Sequence, residues 1–104
     1  MIRHIVIIHF QKKAGLDYLA LLEKTRPLIE QISGVIRYQL YRNESKYVPE
    51  QVTSIGVEIL FKDQRALELF MEHPQHFEAN ALFEKHFADP PYMVLTHPIE
   101  EKHA

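Results

Sequence analysis

The chain of 104 residues contains no cysteine and no tryptophan, only three glycines, and no marked excess of charge of either sign. Each shortage removes a class of function. Without cysteine there is no disulfide framework, no thiolate metal site and no cysteine nucleophile, which fits a reducing compartment. Three glycines leave no glycine-rich loop to cradle phosphates and no nucleophile elbow, so nucleotide binding and triad hydrolysis lack their machinery. Twelve Lys and Arg stand against 14 Asp and Glu, a net charge of -2, so the broad positive field behind nucleic-acid affinity is missing. No nucleic-acid partner is expected. The apolar stretch near the start runs only from Ile5 to Ile8, too short for a signal peptide or a membrane span. The expectation is a cytoplasmic protein with no membrane partner.

What is present is an ordinary globular balance, 46% hydrophobic and 25% charged. Ile2 to Phe10 is rich in β-branched residues on both alternating faces, the pattern of a strand covered on both sides. Tyr18, Leu21, Leu22, Thr25, Leu28, Ile29 and Ile32 then recur at helical spacing; Pro27 inside the run predicts a kink or break near Glu23, while the seven-residue apolar stripe favours one continuous element. Ser33-Gly34 ends that helix, and Val35 to Arg42 reads as a second strand. Asn43 to Gln51 is a polar loop. Thr53 to Phe61 is a third strand, and Asp63 N-caps a helix that reaches Glu72. Pro74 starts another helical segment, with His76, Ala79, Asn80, Phe83 and Phe87 on one face. Asp89-Pro90-Pro91 is read as its stop, and Tyr92 to His97 as a short last strand.

The order β-α-β-β-α-β predicts an α+β, ferredoxin-like sandwich: a four-stranded antiparallel sheet in one domain over residues 1–98, with a C-terminal tail at 99–104. Helices on one side leave the second sheet face bare, yet the strands carry apolar residues on both faces. A second copy packed sheet to sheet, a homodimer, is the economical cover.

Seven histidines are the chemically distinctive residues. His86, His97 and His103 carry little information, and His9 shares a face with Ile5 and Ile7. His4 alternates onto the face of Val6, Ile8 and Phe10, directed at the helices. His76 and Asn80 lie one helical turn apart beside Phe83 on an apolar stripe, so each needs a polar partner or lines a cavity. His73 and His76 are three apart, but Pro74 disturbs the spacing and no third ligand is evident, so no metal is expected. Glu58 is a carboxylate in an apolar run, read as paired with Arg37 or Arg42 on a neighbouring strand.

Ile2-Arg3-His4-Ile5-Val6 followed by Phe10, the strand end Glu58-Ile59-Leu60-Phe61, and His73-Pro74-Gln75-His76 after a short helix resemble the stress-responsive dimeric α/β-barrel domain family over residues 2–98. The resemblance implies two βαββαβ protomers with sheets packed together into a dimeric α/β barrel, and an apolar cavity between sheet and helices in each. In the polyketide cyclases of that family the second His of the His-Pro-x-His element acts with a Tyr on the preceding helix. His76 matches that His and His4 a second histidine of the cavity, but Phe70 stands where the Tyr would be. Gly34-Val35-Ile36-Arg37-Tyr38-Gln39-Leu40-Tyr41-Arg42, Pro74 to Phe77 and Asp89-Pro90-Pro91 also resemble the antibiotic-biosynthesis monooxygenases, although the histidine typical of their second helix is replaced by Leu69 or Phe70.

These readings converge on a cavity bounded by His4, Phe70, His76, Asn80 and Phe83 that takes a small apolar or aromatic ligand and needs no cofactor. His76 is the candidate catalytic base or hydrogen-bond donor and His4 its polar partner; Phe70, Asn80 and Phe83 are candidate ligand-binding residues. The alternative is a cofactor-independent monooxygenase acting on a quinol or polyphenol, with Asn80 on the substrate oxygen. A cyclase is disfavoured by Phe70, and a dimer with a filled core is the purely structural outcome.

Overall fold

The computed structural model describes residues 1–99, so the expectations placed on Glu100 to Ala104, His103 included, fall outside the described residues. Strands β1 (Ile2–Gln11), β2 (Val35–Arg42), β3 (Val52–Phe61) and β4 (Phe87–Pro98) form one antiparallel sheet in the order β2-β3-β1-β4. Helices α1 (Tyr18–Glu23), α2 (Arg26–Glu30), α3 (Gln64–Met71) and α4 (Pro74–Ala81) make the second layer. This is the ferredoxin-like α+β sandwich that the periodicity predicts.

The continuous helix that the apolar stripe favours is not formed: the run breaks completely ahead of Pro27 into α1 and α2. The proline sits in the first turn of α2, where its missing N–H costs nothing, and the chain between the two helices turns through Lys24 and Thr25. Asp17 and Asp63 N-cap α1 and α3 by accepting from the N–H of Ala20 and Ala66. Gly34 holds φ +89 at the helix-to-strand turn, and a Cβ there would lie 2.4 Å from the Cβ of Ala66, so the site needs glycine for conformation and for space.

Two expectations fail at the second helix and the last strand. The segment from Pro74 leaves the helix at Ala81 rather than continuing to Phe87; a 3-10 turn at Glu84–His86 follows. β4 starts at Phe87 and runs through Asp89-Pro90-Pro91 instead of beginning at Tyr92. As an edge strand, β4 has unpaired N–H positions to spare, and that is where proline is tolerated in a sheet.

The core lies between the inner sheet face and the helices. One cluster gathers Ile29, Ile32, Tyr38, Ile59, Phe61 and Phe70; a second gathers Phe10, Tyr18, Leu22, Ile55 and Phe83. Phe10 stacks on Tyr18 at 4.4 Å and Phe70 meets Phe61 edge-on at 5.0 Å. On the outer face Glu58 pairs with Arg37 at 2.9 Å and with Arg3 at 3.8 Å. Arg42, the other expected partner, sits opposite Ile55 and reaches Asp17 at 3.6 Å instead.

Candidate functional site

The strand register aligns Tyr38, Ile59, His4 and Thr96 in one row across all four strands on the inner face. The next row is Leu40, Val57, Val6 and Val94, wholly apolar. His4 is therefore a polar group set into a greasy surface. It is buried, and its Nδ1 is 2.8 Å from the Thr96 hydroxyl, which leaves Nε2 as the nitrogen open to a ligand. Burial pushes its pKa below the ordinary imidazole value, and the nearby His76 pushes it further. The hydrogen bond of His4 goes to Thr96, and His76 acts on it only by making a positive charge there less favourable.

His76 is placed by the local chemistry of the His-Pro-x-His element. His73 is the N-cap of α4, its Nδ1 accepting from the Gln75 N–H at 3.1 Å, and Pro74 occupies the first turn. His73 is thus committed to capping. His76 lies against the Phe70 ring at 4.5 Å, and its Nε2 is 3.3 Å from the Asn80 side-chain nitrogen. An amide nitrogen only donates, so Nε2 is the acceptor and the ring proton resides on Nδ1. That Nδ1 is buried without a hydrogen bond of full geometry. Burial lowers the His76 pKa, the Met71 backbone opposes this, and His73 adds to it. Both imidazoles are consequently neutral bases at physiological pH.

A cavity of about 260 Å³ lies between the sheet and the helices, and His4, Phe70, His76, Asn80 and Phe83 all line it. Val6, Ile8, Val57 and Val94 supply apolar wall from the sheet. Among the described residues no Lys or Arg lines it; Glu84, exposed, is its one charged neighbour. His9, His86 and His97 lie outside it, as does the whole Asn43–Gln51 loop. Tyr38, Thr25 and Tyr92, which the sequence reading did not single out, also line the cavity. The alternation that put His4 inward puts Tyr38 inward too, and a buried Tyr hydroxyl needs a partner, so a signal for it existed.

Residues 2–90 match the stress responsive A/B barrel domain family. The chain belongs to that family. No curated protein matches the domain. Among solved structures it is similar to a protein from Arabidopsis thaliana, with a TM-score of 0.75 and 17% identity over 100% of both chains. A hydroxynitrile lyase from Passiflora edulis has a TM-score of 0.69 at 17% identity, covering 99% of the domain's chain and 96% of its own. A dimeric ferredoxin-like protein from Jannaschia sp. has a TM-score of 0.68 at 12% identity, covering 95% and 100%. Identities this low speak for a shared fold.

Proposed function

We propose that the domain is a homodimer in which each cavity binds a small neutral aromatic or apolar compound carrying an acidic hydroxyl, with His76 as the base that takes its proton. The observation that carries this reading is the pairing of two neutral, partly desolvated imidazoles with apolar walls in one half-open cavity. An apolar cavity with a few convergent polar groups and perturbed titratable residues is the common form of a small-molecule site. On ligand entry Asn80 turns its amide N–H from His76 Nε2 to the ligand oxygen, which frees the one Nε2 lone pair to accept the ligand proton, and His4 Nε2 supplies a second contact.

Cofactor-free oxygenation of a quinol or polyphenol is the catalytic form of this reading. It is favoured by the 3.3 Å contact of Asn80 with His76, which sets a base and an oxyanion donor side by side. Cyclase chemistry is not proposed, because Phe70 brings a ring but no hydroxyl to the imidazole.

Native mass spectrometry of freshly purified protein tests assembly and a retained ligand together. Turnover is then followed by oxygen uptake with quinols, and by cyanide release with a hydroxynitrile. The expected result is a dimer that retains or takes up an aromatic hydroxyl compound. For any turnover found, His76→Ala should lower the rate about 10²- to 10⁴-fold while the dimer stays folded. A monomer, or a cavity that takes up no phenol, quinol or hydroxynitrile, would overturn the reading.

A further inference from the structure

Thr25 and Tyr38 are deeply buried cavity-lining hydroxyl residues, and neither belongs to the chemistry assigned to His76. Their protons can be counted. Thr25 Oγ1 is 2.6 Å from the Leu22 carbonyl and 3.1 Å from Tyr38 Oη. A carbonyl has no proton to give, so Thr25 donates to Leu22, and Tyr38 must spend its own proton on Thr25. Thr25 holds the N-cap position of α2 without capping it, so its hydroxyl is turned away from the helix and onto this pair. Arg26 fixes the tyrosine from outside, with its guanidinium 5.1 Å from the ring centre and a hydrogen bond to the Tyr38 carbonyl.

The result is an oxygen with free lone pairs and no proton to offer a ligand. Tyr38 stands two strands from His4 in the same cross-sheet row, about 10 Å along the sheet, with only Ile59 between them. Burial raises the Tyr38 pKa, so the group remains a neutral phenol at physiological pH.

We propose that Tyr38, locked by Thr25, is a second, acceptor-only subsite that selects neutral ligands bearing another hydroxyl at the end remote from His76. This rests on the reading of the cavity as a binding site for aromatic hydroxyl compounds. It narrows the class to diphenols and excludes their methyl ethers and carboxylates, since a methoxy oxygen has no proton to donate and, among the described residues, no Lys or Arg lines the cavity to meet a carboxylate.

Three probes of one shape test it on the intact wild-type protein by isothermal titration: a naphthol, the naphthalenediol with hydroxyls at opposite ends, and the diol's monomethyl ether. The diol should bind about tenfold more tightly than the naphthol, the value of one net hydrogen bond, and the ether more weakly than either. In Tyr38→Phe the diol should fall to the affinity of the naphthol. Thr25→Val, nearly isosteric, releases the Tyr38 proton for donation and should raise the ether above the naphthol. Equal binding of naphthol and diol to the wild-type protein would overturn the subsite and leave the cavity reading intact. Failure of all three probes to bind would overturn both.

Discussion

The two faces of the one sheet are built from similar side chains and end in opposite conditions. On the inner face Phe10, Ile55 and Phe61 lose essentially all contact with solvent beneath the helices. On the outer face Ile5 and Ile7 are half-buried, and Met93 and Leu95 are 65% and 56% exposed. Even the inner residues of β4, Tyr92 and Val94, stay about half exposed at 52% and 53%, although the cavity reaches them. Four helices of five to eight residues cover the inner face of the other strands and stop short of β4. The difference shows that sheet patterning alone does not say which apolar face its own chain will cover; the reach of the helices decides it. It also places the open side of the cavity over the edge strand.

The contrast is broken most strongly at Phe61. Phe61→Ala empties a fully buried site against Phe70 and should cost about 3–5 kcal/mol in denaturant unfolding. The matched change on the outer face, Leu95→Lys, should leave the protomer within about 0.5 kcal/mol of wild type and instead shift sedimentation from dimer to monomer. If Leu95→Lys remains dimeric, the outer face is not the association surface.

Much of this architecture was legible because each element obeys a local rule. Asp63 and Pro74 start helices where capping chemistry places them, and the alternation of β1 and β3 put His4 and Glu58 on opposite faces. The failures came where a local rule met tertiary pairing. The Pro90-Pro91 pair reads as a stop signal, but pairing with β1 on one side only allows a strand to run through it. The helical spacing from His76 to Phe87 continues on paper, yet the chain turns after Ala81 so that Phe83 packs on Phe10. The cavity's histidines announced themselves as polar residues on apolar stripes. Tyr38 carried only the weaker signal of its inward alternation and Thr25 carried none, and it is their contact with one another that gives them a role.

A smaller and pH-dependent difference separates the faces through His4 and His76. Both are held below the ordinary value of 6.5, so the unfolded chain binds more protons on acidification than the folded one. Stability is fully present above pH 6.5 and is lost as pH falls through the interval down to the depressed folded values. The slope is at most about 1.4 kcal/mol per pH unit for each imidazole. Thermal melts should decline from pH 7.5 to 5.5, roughly the span over which a free imidazole charges, and His4→Gln with His76→Gln should flatten that decline. A decline of undiminished size in the double variant would assign it to other groups.

The smallest effect belongs to Glu58, on the face that the helices leave bare. Its carboxylate sits between Arg37 at 2.9 Å and Arg3 at 3.8 Å, with all three side chains still touched by solvent. In a dilute, unpaired protomer Glu58→Gln should cost less than about 1 kcal/mol, as partly exposed ion pairs do. Covering the face changes that balance, because two guanidinium groups would then lose water without a carboxylate to replace it. The penalty measured by denaturation should therefore grow with protein concentration, while that of Phe61→Ala should not. A Glu58→Gln cost independent of concentration would mean that this cluster faces water in the assembled protein, and that association uses the β4 side of the sheet alone.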